Sequence, residues 1–273
     1  MQTLENRLMA RSWVVAVCAF LLIGLVGCQM LKDNTLPEII VEITDDAIHT
    51  PAELPAGFVA VTFVDRRSKP KDGVPIIARL HEGVSMAEAM VDEGDPAAPP
   101  KVTFLGGQVG RTIFQLEAGH YFIQWASEEG NTQPAPAAFN VQGNANGAPA
   151  PKAAVQLNLV DFNFVLPDTV PSGKQLWQLT NQGATEHHAL ILKLNDGASD
   201  DEFTNWLMQP EPAGPPPAAL VVHGAPLAPG VTSWPEIDLA PGTYYIVCFL
   251  PDFTQNPPLP HVAHGMLRRV IVH

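Results

Sequence analysis

Three kinds of side chain able to hold a transition metal gather in the last third of this chain. Cys248 is the one cysteine beyond residue 28, and it ends the apolar run Tyr244-Tyr245-Ile246-Val247. His261 and Met266 follow in the run Pro260-His261-Val262-Ala263-His264-Gly265-Met266, with four residues between them. Upstream, His187 and His188 close the run Asn181-Gln182-Gly183-Ala184-Thr185-Glu186. Thiolate and thioether sulfur are soft donors and imidazole suits several transition metals, so these residues in one place can bind a metal. The competing reading of Cys248 is a small buried residue that only packs.

Other chemistry is not signalled. There is no Gly-rich phosphate loop, no Gly-x-Ser-x-Gly and no His-Glu-x-x-His. Ser, His and Asp residues form no suggestive set, and an enzyme is not expected. The net charge is −13 without Lys/Arg clusters, which argues against nucleic-acid binding because phosphate contacts need basic side chains.

The elements that must position the candidates are short. The 273 residues are 46% hydrophobic and 16% charged, enough apolar material for a core, and 27 prolines with 21 glycines favour strands and turns over long helices. Those strands occur twice. Residues 40–57 match 156–173 without gaps at an offset of 116, pairing Asp45 with Asp161, Pro51 with Pro167, Pro55 with Pro171 and Gly57 with Gly173. Further on, Ser85-x-x-Glu88 answers Ser199-x-x-Glu202, each a capping box that predicts a short helix. Leu116 to Tyr121 answers Leu239 to Tyr244. Within a copy the period is two, as at Val155, Leu157 and Leu159. About seven strands and one short helix per copy predict a Greek-key sandwich.

The second copy, over about residues 153–273, resembles the cupredoxins, the small blue-copper β-sandwiches. The residues that carry the resemblance are Asn181 to His187, Cys248 and the closing run Pro260 to Met266. It implies one mononuclear type 1 copper held by His187, Cys248, His261 and Met266. Thiolate and imidazole suit both Cu(I) and Cu(II), with methionine as the weak axial ligand. His188 is the alternative to His187, since strand alternation lets only one of the pair point inward. His264 is the alternative to His261, although it lies close to Met266. His223 reads as a solvated loop residue and Met208 as core or groove packing. The family's small electron carriers have a shorter gap than the twelve residues between Cys248 and His261. Multicopper oxidases share the sandwich but need His-x-His pairs, which His187-His188 is not.

The first copy keeps the scaffold and lacks the ligands. Cys248 aligns with Trp125, a large residue able to fill a site's volume, and the first histidine falls near Asp72-Gly73-Val74. His49, His81 and His120 lie at unrelated places and read as surface residues.

The N-terminus reads as an address. Arg7 and Arg11 precede an uncharged stretch, Val14 to Gly27, which is short for a membrane span of about 20 residues and suits an export signal. Its end, Leu25-Val26-Gly27-Cys28, resembles a bacterial lipobox, in which Cys28 is lipidated. Cys18 then leaves with the signal.

The expected organisation is therefore all-β. A signal peptide (1–27) and a lipidated tether (28–38) lead into a cupredoxin-like sandwich without ligands (39–142). A linker (143–152) joins it to a second such sandwich carrying the copper site (153–273). The expected function is one-electron transfer at the bacterial cell envelope, with the membrane held through Cys28 and a redox partner protein. Pro210–Pro217 and Pro257–Pro260 would form an apolar docking rim beside an exposed edge of His261. The alternative is a copper-free lipoprotein acting as a binding or scaffold module.

Overall fold

The computed structural model describes residues 36–68, 73–91, 100–127, 133–209 and 214–273. The expected leader, with Cys18 and Cys28, lies outside them. Alternating apolar residues and frequent Gly/Pro breaks produce strands in matched sets. The first copy comprises β1 (Glu38–Ile43), β2 (Ile48–His49), β3 (Glu53–Pro55), β4 (Gly57–Asp65), β5 (Val74–Leu80), α1 (Met86–Ala89), β6 (Val102–Gly106), β7 (Gly110–Leu116), β8 (Gly119–Ala126) and β9 (Ala137–Gln142). The second comprises β10 (Val155–Val160), β11 (Asn163–Val165), β12 (Thr169–Val170), β13 (Gly173–Asn181), β14 (Leu190–Leu194), α2 (Asp200–Leu207), β15 (Ala218–His223), β16 (Thr232–Leu239) and β17 (Gly242–Val247). A small hairpin, β18 (Pro251–Asp252) and β19 (Leu259–Pro260), a 3-10 turn at His261–His264 and β20 (Leu267–Val272) complete it. The fold is all-β, as expected, with two β-sandwiches and one short helix in each. Each sandwich has more short strands than the expected seven.

The duplication is visible in the register. β1 runs parallel to β4 with Glu38 opposite Ala60, and β10 runs parallel to β13 with Val155 opposite Trp177, the same separation along the chain in each copy. Both capping boxes form, at Ser85/Glu88 and Ser199/Glu202. Tyr121 and Tyr244 each donate their hydroxyl over 2.8 Å to the carbonyl four residues back, of Glu117 and Ala240. Such a bond tying a strand start to its preceding corner contributes about 1 kcal/mol.

Each sandwich packs its own five-stranded sheet, β3-β9-β8-β5-β6 or β12-β20-β17-β14-β15, against half of a shared eight-stranded sheet, β11-β10-β13-β16-β7-β4-β1-β2. The sharing comes from β16 pairing antiparallel with its counterpart β7, with Thr112 opposite Pro235. Those two residues occupy equivalent places in the repeat, so a local two-fold axis passes between them. Nor is the segment joining the copies a loose spacer. Asn146 donates its side-chain amide to Phe58 O over 2.7 Å and its backbone N–H to Ala56 O over 2.8 Å.

From Tyr244 to Val247, β17 is apolar because both its faces are covered. Tyr244, Ile246 and Cys248 face the main core with Leu157, Trp177 and Met266. Tyr245 and Val247 face a second cluster under α2, where Phe203 lies tilted against Tyr245 at 4.4 Å and Val262 packs. Apolar burial on both sides anchors the strand that ends in Cys248.

Candidate metal centre

Residues from three distant points meet at one end of the second sandwich. His187 lies between β13 and β14, Cys248 one residue past β17, and His261 at the start of the 3-10 turn. Their potential ligand atoms all lie within 4.8 Å of one another and all three residues are buried. His187 Nδ1 is 3.0 Å from His261 Nδ1, which is 3.4 Å from Cys248 Sγ. Met266 is fully buried in the same core cluster as Cys248.

Local hydrogen bonding explains how the twelve-residue gap closes. Proline-rich residues 249–260 fold into the β18–β19 hairpin, with Pro251 opposite Pro260. His261 N then donates to Leu250 O (2.9 Å), and Val262 N to Cys248 O (2.8 Å). Cys248 N donates to Met266 O (3.3 Å), and Met266 N to His261 O (3.1 Å). The long loop is therefore an excursion whose two ends are stitched together beside Cys248.

Asp161 orients the first histidine. Its Oδ1 lies 3.1 Å from His187 Nε2 and both carboxylate oxygens accept from Ala184 N. A carboxylate facing Nε2 places the proton there and leaves Nδ1 as a lone pair aimed inward. His261 Nδ1 then supplies the single proton between the two rings. Asp161 was not singled out from sequence as functional; its repeat match to Asp45 marked it as scaffold. Asp45 indeed accepts from Ser68 N, the counterpart of Ala184 N, so only the contact to the histidine is particular to the second copy. Gly183 makes room, since a Cβ there would lie 2.6 Å from His187 Nε2.

Phe162 sits beside Asp161 on the β10–β11 turn. Its φ of +59° is a left-handed conformation that costs a bulky residue about 1–3 kcal/mol. The ring lies edge-on to His261 at 5.2 Å and tilted over His264 at 4.7 Å.

The electrostatics favour neutral donors. Burial lowers the pKa values of His187 and His261, with Asp161 partly opposing this at His187. Burial pushes the Cys248 thiol up to about 11, against the backbone N–H groups of His188 and Leu250, which lower it.

The two alternatives are not brought into the cluster. His188 is buried on the other side of the strand, where its Nε2 accepts from Phe249 N over 2.8 Å, and burial drives its pKa down to about 3. His264 instead faces Asp252, Nε2 to Oδ2 at 3.3 Å. Three further expectations need correction. His223 is the half-buried last residue of β15, opposite Leu190, and not a solvated loop residue. Met208 caps α2 and is 59% exposed, because the helix turns it away from the second cluster. His261 has no exposed edge; it is 2% exposed and forms the floor of a cleft of about 490 Å³ lined also by Glu186, Leu250, Asp252 and Phe253. Phe253 and Leu259 stand exposed at this end of the molecule, while residues 210–213 of the other expected rim lie outside the described ones.

The first copy fills the equivalent space. Strand register places Gly73 where His187 stands and Trp125 where Cys248 stands. A Cβ at Gly73, whose φ is +87°, would lie 2.3 Å from Trp125 Nε1. Arg67 lies 3.8 Å over the indole, held by both carboxylate oxygens of Asp65.

No family model matches the chain, and no curated protein matches it. Solved structures similar to it include reduced auracyanin from the photosynthetic bacterium Roseiflexus castenholzii, 22% identical over 43% of this chain and 94% of that one, with a TM-score of 0.29. Auracyanin B is 20% identical over 45% of this chain and 92% of that one, with a TM-score of 0.28. A copper-containing nitrite reductase from Thermus scotoductus is 11% identical over 88% of this chain and 68% of that one, with a TM-score of 0.25.

Proposed function

We propose that this chain holds one copper ion at His187, Cys248 and His261, with Met266 as the weak fourth ligand, and passes single electrons. The observation that carries the reading is the approach of three buried donors from segments far apart in sequence, two imidazole nitrogens and one thiol sulfur. Two histidines and a cysteine with a distant methionine fit a type 1 copper site. Bound copper would supply a one-electron couple that both sulfur and imidazole tolerate.

The rest is done by the chain. Asp161 and the Leu227 backbone hold His187 with Nδ1 inward. Cys248, a neutral thiol near pH 7 without metal, releases its proton on loading. The backbone N–H groups of His188 and Leu250 then face a thiolate that they stabilise. Phe162 packs edge-on against the His261 ring. His261 alone of the three lines the cleft, so electron exchange with a partner protein would run through its ring. The lipobox-like Cys28 would tether this domain pair to the cell envelope, facing outward from the cytoplasm. This is carriage of an electron, not catalysis.

The test is direct. Purified protein given Cu(II) should develop an intense thiolate-to-copper absorption in the visible, and Cys248→Ser should abolish it. Its melting temperature should also rise, as for any ligand of the native state. A colourless wild type whose melting temperature ignores copper would overturn the proposal and leave a copper-free scaffold module.

A further inference from the structure

One segment belongs to both sandwiches at once. Residues 225–230, Ala-Pro-Leu-Ala-Pro-Gly, lie between β15 and β16. The two prolines have no N–H to give. The four remaining N–H groups are shared equally. Ala225 N donates to Gly107 O (2.8 Å) and Ala228 N to Phe104 O (2.9 Å), both in the first copy. Leu227 N donates to His187 O (2.8 Å) and Gly230 N to Asn181 O (2.8 Å), both in the second.

Leu227 is the centre of the strap. It bridges to Leu105 of the first copy on one side and to His187 on the other. Its carbonyl accepts from His187 N (3.2 Å) and from the Asn181 side chain (2.7 Å), whose Oδ1 in turn accepts from Gly183 N. The first copy holds the strap at Ala225 and Ala228 and also grips the strand that follows it. Ala225 is 3% exposed against Val74 and Ile76, and buried Gln108 donates over 2.9 Å to Glu236 O within β16.

We infer that the ligand-free copy is a positioning element of the metal centre, setting the backbone of His187 through the Ala225–Gly230 strap. This gives the first copy a function in the site, although it contributes no ligand. The inference rests on the copper reading for its metal-binding arm only. A histidine whose backbone is fixed on one side by the strap, and whose ring is fixed on the other by Asp161, has no freedom to leave the pocket. Supporting shells of this kind commonly change metal affinity by about 10–100-fold.

The test perturbs the interface and reads His187. In the full chain, Ala225→Phe drives a large side chain between the strap and β5, and Gln108→Ala removes the bond that ties β16 to the first copy beyond the strap. Neither residue touches the ligands. Expected results are changed His187 ring resonances in metal-free protein and weaker Cu(II) binding, about tenfold or more for Ala225→Phe and less for Gln108→Ala. His261, hydrogen-bonded to His187, should move with it, while Met266 resonances should stay in place, which a general loosening of the fold would not allow. Unchanged His187 resonances and unchanged copper affinity in both variants would overturn the inference; if Ala225→Phe fails to fold, Gln108→Ala decides alone. If the wild type takes no copper, the copper reading falls, and the ring resonances still decide whether the first copy sets His187.

Discussion

His187 Nε2 lies 3.1 Å from Asp161 Oδ1, so the ring that offers Nδ1 to the cluster is held from behind by a carboxylate. The partner residue in the first copy, Asp45, makes the same turn contact with no histidine behind it. Loss of the carboxylate in the second copy should therefore weaken metal binding beyond any effect on stability. Asp161→Ala is expected to lower copper affinity about 10–100-fold in a competition titration, and Asp161→Asn, which keeps an acceptor, by less. Asp45→Ala should leave copper affinity unchanged.

Met266 is fully buried in the main core, so it carries a packing role whether or not metal is present. Met266→Ala should cost about 2–5 kcal/mol in denaturant unfolding of metal-free protein, and Met266→Leu under about 1.5 kcal/mol. If the copper reading holds, the leucine variant will keep its visible absorption and change its reduction potential.

Acid should destabilise the metal-free fold through its buried histidines. His188 has a folded-state pKa of about 3 against 6.5 for the free side chain, first because of burial and then because of its neighbours His223, His261 and His187. The unfolded chain thus binds the proton more readily. The stabilisation is complete above about pH 6.5 and is lost as pH falls from there towards 3, by at most about 1.4 kcal/mol per pH unit for this residue. His187 and His261 shift in the same direction and add to it. Unfolding curves between pH 7 and 4 should be less pH-dependent for His188→Gln, whose amide oxygen still accepts from Phe249 N.

The hydroxyl bonds donated by Tyr121 and Tyr244 are equal in length and topology, but Tyr121 also accepts from Glu117 N over 3.2 Å. Tyr244→Phe should cost about 1 kcal/mol and Tyr121→Phe more, measured by thermal or denaturant unfolding. Equal costs would show that the second bond at Tyr121 adds nothing.

Much of this was legible in the sequence. Period-two runs and the repeat gave the strands and two sandwiches, and Ser-x-x-Glu gave both helices, because these signals are local. Cys248 stood out as a lone thiol at the end of an apolar strand. His261 was named through the resemblance, but how it returns was not legible, since the Pro-rich hairpin that closes the gap has no hydrophobic periodicity. The choice between His187 and His188 needed the direction of each ring. Asp161 was hidden because the repeat already accounted for it. The burial of His261 was not legible either, since one of its neighbours, Phe162, packs against it from a backbone conformation no pattern foretells.

The pairing of β7 with β16 has a consequence for how such a duplication survives. In a solitary copy either strand would form an open border of its sheet, with unpaired N–H and C=O groups inviting association with other molecules. Here each copy supplies the missing neighbour for the other. The borders left on the shared sheet are the two-residue β2 and the three-residue β11, too short to template much further growth. Doubling the unit thus protects it from its own stickiness, a benefit that persists in the copy without the His-Cys-His group and gives a reason to retain it.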